Sequence, residues 1–356
     1  MPSIAVLGGL LTDYIIPLPR LPKLGESLDA APGQAVLEVP GGKGGNVCVA
    51  AVRVSRVRPD RRRDEMKGRG GGGGEEEEEE EEEEVRVYMN GAVGDDEAGK
   101  RLKSGLQAEG VHVDGVQELA GAKSGVCVVL VEEGSSGESG NVGVPGANAR
   151  YRLPGKEEGV RGLVGGAAET PPDLLVMNLA QISRDEVVLP VLGMARRAGV
   201  DVFLNASPAE HLVGIPAWWR GVKSLVVNEH EAVVLCGVAE VRSVAGRRAV
   251  WEAFLGDDDD GAESVVLTLG KEGAYFAEKG GGGREGFVAG VKAERVVDTT
   301  GAGDCFLGAY AVEYVRQKQA GGWDIAAAVR FACKAAAKSV ERMGCQAGLP
   351  YADEIV

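Results

Sequence analysis

The stretch "VVDTTGAGDCFLGAY", Val296 to Tyr310, sets one carboxylate, Asp304, between a Gly-Ala-Gly turn and an apolar run. Asp is among the preferred helix N-cap residues and is favoured near the positive end of the helix dipole, so the local sequence by itself favours a capping role. The same turn supports a second reading. If residue 303 or 304 opens the helix, the amides of Gly301, Ala302, Gly303 and Asp304 point into one space. N–H groups at a helix start hold a developing phosphate charge well. An Asp beside them can accept a hydroxyl proton. Phosphoryl transfer to a small molecule asks for this layout, because it depends mostly on positioning and electrostatics.

A second motif, "VPGGKGGNVCVAAVR" (39–53), is a Gly-rich turn followed by a helix pattern. It is not a P-loop, because Lys43 is followed by Gly and no Gly stands where G-x-x-x-x-G-K requires it. Nor is it G-x-G-x-x-G, since Val47 occupies the third position. As local structure it is a tight turn with Asn46 near a helix start. As a site, its paired glycines let a polyhydroxylated ligand approach the backbone, with Lys43 and Asn46 supplying hydrogen bonds.

At 356 residues and 44% hydrophobic, the chain can bury the core of one large α/β domain or two smaller ones. The Val/Ile/Leu-rich runs at 3–8, 85–94, 173–179, 201–207, 224–229 and 264–270 read as buried parallel strands. Helical patterns such as 96–110 and 184–199 lie between them. Strand alternating with helix predicts a doubly wound, mostly parallel α/β sheet flanked by helices, with ligands beyond the carboxyl ends of the strands. Residues 13–40 and about 116–145 break the alternation. They read as short strands forming a small β-sheet that projects from the main domain as a lid.

The net charge of −15 is misleading, because ten glutamates form one run, Glu75 to Glu84. Without that run, 39 basic residues face 44 acidic ones, a net −5, and nothing attracts nucleic acid or membrane. The tract from 58 to 84 is low in complexity and is expected to be a disordered, solvated insertion. "GDDDDG" and "KGGGGRE" read the same way. The six cysteines show no C-x-x-C pairing, which predicts a reduced, cytoplasmic protein (a nuclear pool is equally compatible) without structural zinc. The apolar N-terminus has no basic flank and is interrupted by Asp13, so it reads as a first strand rather than a signal peptide.

"GGKGGN" early and "DTTGAGDCFLGA" late, in this order, resemble the two signatures of the ribokinase-like (PfkB) carbohydrate kinases. The resemblance covers the chain apart from 58–84 and small loop expansions, and within the family it is strongest to the ribokinases. It implies ATP-dependent phosphorylation of the 5-hydroxyl of D-ribose, with Asp304 as general base. The sugar site it implies comprises Asp13, Gly41, Gly42, Lys43, Asn46 and Asp304. "NVGVPGANA" (141–149) resembles the family's lid side, and "LNASPA" (204–209) one of its strand ends. "NEHE" (228–231) matches an Asn-x-x-Glu motif, and "TLGKEG" (268–273) a turn that approaches ATP. These implicate Asn228, Glu231, Thr268, Gly270 and Gly273, with Gly303, in binding ATP, and place Mg2+ indirectly near Glu231. Asp298, Thr300, Ser339, Arg342, Gly344 and Gly348 fall on the loop of an activating monovalent cation, K+. For Asp298, turn capping is the alternative. The family also implies a homodimer paired through the lid.

The chain departs from the family at three positions. Ala180, followed by Gln181, stands where ribokinases usually carry a Glu that touches the sugar. Cys333 replaces an Asn common near adenine, and Gly348 replaces a small hydroxyl residue. A kinase for another sugar or a nucleoside is the rival within the class. A catalytically silent sugar-binding regulator is the rival outside it. Retention of Asp304, Gly301 and Gly303 argues against silence.

Overall fold

Strand β1 (Ser3–Leu7) is buried along its whole length, which explains its unbroken apolar run. Ile4 and Val6 point into one core and Ala5 and Leu7 into another, because side chains alternate across a strand. The two cores are the two sides of one sheet. The computed structural model describes residues 1–23, 25–30, 33–59, 84–132, 139–155, 159–164, 170–180, 182, 187–256, 261–279 and 284–355. The insertion expected at 58–84 lies almost wholly outside the described residues, as do Gln181, Asp257 to Asp260 and Gly280 to Gly283.

Further strands are β2 (Leu11–Leu18), β3 (Leu37–Gly41), β4 (Arg86–Gly94), β5 (His112–Leu119), β6 (Gly125–Glu132), β7 (Ser139–Val144), β8 (Leu174–Asn178), β9 (Asp201–Asn205), β10 (Ser224–Asn228), β11 (Ser264–Thr268), β12 (Gly273–Glu278) and β13 (Arg284–Ala289). The helices are α1 (Lys43–Val54), α2 (Glu97–Ala108), α3 (Val188–Ala198), α4 (Glu229–Cys236), α5 (Val244–Phe254), α6 (Ala302–Gln319) and α7 (Ile325–Ser339).

The main sheet runs β13-β12-β11-β10-β9-β8-β1-β4-β5. It is parallel from β11 to β5, with an antiparallel hairpin, β12–β13, on the β11 edge. Helices α1, α6 and α7 pack on the Ile4 side, and α3, α4 and α5 on the Ala5 side. Strand order reverses at β1, where chain order runs one way through β4 and the other through β8. In doubly wound sheets that reversal opens a crevice at the carboxyl ends of the strands.

The doubly wound expectation therefore holds, and so does the separate small sheet, ordered β3-β2-β6-β7. Its pairing is mixed: β2 runs antiparallel to β3 and parallel to β6, and β6 runs antiparallel to β7. The lid boundary shifts from the expected one. Val116 to Leu119 belong to β5 and pair with β4 in the main sheet, so the second half of the lid begins at Gly125.

Candidate active site

β2 leaves the main sheet three residues after β1 and carries Asp13 over the crevice. Its carboxylate meets the Gly-rich turn. A Cβ on Gly41 would stand 2.0 Å from Asp13 Oδ2, so glycine is what admits the carboxylate here. Gly42 is the N-cap of α1, Lys43 its first residue, and Asn46 lies one turn in with its N–H donating to Gly42 O at 3.0 Å.

Helix α6 is buried over most of its length and brings Asp304 to the same place. Its N-cap is Gly301, at φ 81° with no side-chain capping bond, and the helix opens at Ala302 rather than at 303 or 304. Asp304 is thus the third helical residue, and the capping role favoured by local sequence is not the one its side chain plays. Asn46 Nδ2 donates to Asp304 Oδ2 at 2.8 Å, and Lys43 Nζ stands 3.9 Å from Oδ1. The first-turn amides, including those of Gly303 and Asp304, have no carbonyl one turn earlier in the helix to bond. A Cβ on Gly303 would meet nothing within 4 Å.

Both carboxylates are buried, Asp13 at 7% exposure and Asp304 at 6%. Burial pushes Asp13 up to about 7, and the charge on Asp304 adds to the rise. Burial also raises Asp304, while Lys43 and the Asn46 hydrogen bond pull the other way. Among the described residues Asp13 Oδ1 has no hydrogen-bond partner, and Oδ2 has the Cys345 thiol at 4.0 Å. A buried, unpartnered acceptor beside a second carboxylate suits a ligand that brings hydroxyl donors.

Further along the same sheet edge, Asn228 and Thr268 are neighbours in register at the ends of β10 and β11. Asn228 and Glu231 form a capping box for α4. Glu231 N–H donates to Asn228 Oδ1, and Asn228 N–H to Glu231 Oε2, both at 2.8 Å. A shallow depression of about 470 Å3 is lined by Asn228, His230, Thr268 and Gly270 among others. Gly273 is set back at the start of β12, where its Cβ would stand 2.0 Å from Val288 O, so its identity is required by strand pairing.

The third group gathers behind the α6 N-terminus. Asp298 Oδ1 accepts from Thr300 N–H and Oδ2 from Gly344 N–H, both at 2.9 Å. Its side chain therefore does the work of a turn cap and ties the two ends of the loop together. Ser339 Oγ is engaged with Ala336 O, and the Arg342 side chain pairs with Glu354, so both residues offer the loop their carbonyls rather than their side chains. A Cβ on Gly348 would lie 2.7, 3.1 and 3.3 Å from the carbonyl oxygens of Ser339, Gly344 and Arg342. Three carbonyls converge on a space that only glycine leaves open.

The sequence matches the pfkB family carbohydrate kinases over residues 1–352. The chain belongs to that family. A ribokinase of Schizosaccharomyces pombe is 29% identical over 362 residues, covering 100% of this chain and 97% of the relative. A ribokinase structure from Giardia lamblia superposes with a TM-score of 0.78 at 23% identity, covering 99% of this chain and 97% of the other. The Arabidopsis thaliana ribokinase complexed with ribose and ATP gives 0.74 at 24% identity, with the same two coverages. These two likenesses establish the fold.

Of the residues read from the sequence, Asp13, Gly41, Lys43, Asn46 and Asp304 lie together, as do Asn228, Thr268 and Gly270 at the depression and Asp298, Thr300 and Gly344 behind α6, whereas Gly273 stands apart from the depression. Cys345 and Gln346 were missing from that reading. Cys345 lies against Asp13 and Gly301, and Gln346 against Asn46. Their only sequence signal is adjacency to Gly344. Among the described residues no helix is long and apolar enough to cross a membrane.

Asp13 carries a stability cost with a definite sign. Its folded pKa of about 7 lies above the ordinary aspartate value of 3.8, so the folded state holds the proton longer. The cost grows as pH rises from about 4 to 7 and is complete above 7. Asp13→Asn should therefore raise stability at pH 8 by on the order of 4 kcal/mol and far less at pH 4. Thermal melts of both proteins across that range test this. A gap that does not widen with pH would mean that Asp13 ionises normally in the fold.

Proposed function

We propose that the chain transfers the γ-phosphoryl group of ATP to the 5-hydroxyl of D-ribose. The observation that carries this is the buried Asp304 carboxylate, in the first turn of α6, held by Asn46 and faced by Lys43 and Asp13. Its setting supports the role of general base. Burial favours the protonated form, so Asp304 takes a proton readily, while Asn46 and Lys43 keep the ionised form accessible. Asp13, Asn46 and the turn at Gly41 and Gly42 orient the sugar. The amides of Gly301, Gly303 and Asp304 face the transferring group, whereas the Ala302 amide, also expected there, donates to Thr299 O at 3.3 Å. Thr268, Gly270, Asn228 and Glu231 border the depression for ATP.

Mg2+ neutralises phosphate charge when bound with ATP. Among the described residues no three His, Cys, Asp or Glu side chains gather to hold a metal. This donor set fits an ion carried mainly by phosphates and water, with Glu231 acting indirectly. Ala180 is fully buried and supplies no carboxylate at its strand end, which favours a second reading, a kinase for another sugar or a nucleoside.

A coupled ADP-release assay over sugars and nucleosides tests the assignment, with ribose expected to give the highest kcat/KM. Asp304→Asn should keep both substrates bound and lower kcat by at least about 10²-fold. Turnover within a few-fold of the parent would remove the base. Sugar binding without turnover in the parent would favour the silent regulator.

K+ is the proposed activator. The converging carbonyls of Ser339, Arg342 and Gly344, with Asp298 and Thr300 across the loop, suit a weakly hydrated cation held by backbone oxygens. Such an ion would fix the peptide planes behind the α6 amides, and each preorganised donor of this kind is worth about 3 kcal/mol. kcat should be higher in K+ than in Na+, and lowest in tetramethylammonium, at matched ionic strength. Equal rates in all three would rule the site out.

Two copies are proposed to pair through the lid. Its outer strands expose Leu37 on β3 and Val142 and Val144 on β7, with Val36 beside them. Light scattering should report a dimer that Val142→Lys weakens; a parent that is monomeric at every concentration would overturn the pairing.

A further inference from the structure

Arg53, near the end of α1, has four of its donor bonds committed to two distant segments. Nε and Nη2 donate to Glu109 at 2.9 and 2.6 Å, and Nη1 donates to the carbonyls of Gln346 at 2.8 Å and Leu349 at 3.1 Å. A guanidinium fork of this kind fixes direction as well as distance. It pins the end of the Ser339 to Gly348 loop, at Gln346 and Leu349, against the helix that begins at the glycine-rich turn. From that segment Gln346 Nε2 reaches back and donates to Asn46 Oδ1 at 3.3 Å. The other end of the same amide, Asn46 Nδ2, donates to Asp304 Oδ2.

An amide has one end that only accepts and one that only donates, and which end faces which neighbour follows from its bonds. Asn46 is 3% exposed, so water does not set its orientation. A donor on its oxygen holds its NH2 toward Asp304. If the amide reversed, an oxygen would face a buried carboxylate, two acceptors in contact.

We propose that Gln346 is a positioning residue for Asp304: held in place by Arg53, it fixes the Asn46 amide so that Asn46 donates to the base. This rests on Asp304 being the base, as inferred above. The device runs from the cation-loop segment to the reacting carboxylate through one side chain that touches neither the phosphoryl-binding amides nor the nucleotide depression.

Substitutions at Gln346, which is partly exposed and should fold when changed, separate the possibilities. Gln346→Met removes the donor and should lower kcat about 10-fold. Gln346→Glu offers only acceptors, draws the Asn46 NH2 away from Asp304, and should lower kcat by on the order of 10²-fold, the upper range for lost supporting hydrogen bonds. KM for ATP should stay within about 2-fold in both, since no nucleotide contact changes. On an Asn46→Ala background, Gln346→Met should cost almost nothing further, because the path no longer exists. A purely structural role would cost the same on both backgrounds. Equal cost on both, or Gln346→Glu turning over like the parent, overturns the proposal. Asp304→Asn separates the two failures. If it stays active, the base assignment falls. If it is inactive while Gln346→Glu is unaffected, only the relay falls. Independently of turnover, the Asn46 side-chain NH2 signals in 1H–15N spectra should shift in Gln346→Glu, and unchanged signals would also overturn the relay.

Discussion

The hydrogen bond from Asn46 to Asp304 joins helices α1 and α6 across 258 positions of sequence, at the point where each helix begins. Burying a carboxylate is costly unless it is hydrogen-bonded, so this contact constrains both helices at once. Helix α6 cannot slide without leaving Asp304 unpartnered, and α1 cannot rotate without withdrawing Asn46. The remaining architecture serves that registration. The two helices pack side by side on one face of the sheet, and their N-termini both open over the crevice where strand order reverses.

The second constraint is the concentration of negative charge. Asp13 and Asp304 are both buried and interact, with Lys43 as the nearby cation. Among the described residues one oxygen of Asp13 has no hydrogen-bond partner, and burying such an acceptor is costly. The small sheet supplies Asp13 to this pair of carboxylates.

Several groups that read as ligands have a structural duty as well. Asn228 and Glu231 cap α4 reciprocally, Asp298 closes a turn and ties down Gly344, and Gly273 makes room for a neighbouring strand. These duties do not conflict with binding. A capped helix presents its first-turn amides in a fixed direction, and a pinned loop presents its carbonyls in the same way. Gly348 is the clearest instance. It stands where a Cβ would fill the space between three carbonyls.

The sequence by itself determined the doubly wound sheet, because strands buried on both faces must be apolar throughout and helices between them must be amphipathic. It also singled out the two glycine-rich turns, since only glycine admits Asp13 at residue 41, and Gly301 opens α6 at positive φ. It could not decide what Asp304 does. Capping and proton transfer use the same residue type at the same kind of turn, and the N-cap at Gly301 shows only that the Asp304 side chain is not the cap. Tertiary structure alone assigned Val116 to Leu119 to the main sheet, because alternating strands of a lid and of a sheet edge look alike in one dimension. It alone brought in Cys345 and Gln346, whose neighbours at Asp13 and Asn46 lie about 300 residues away. Local propensities act over a few residues, whereas the direction of a buried amide is set by whichever distant donor the fold delivers to it.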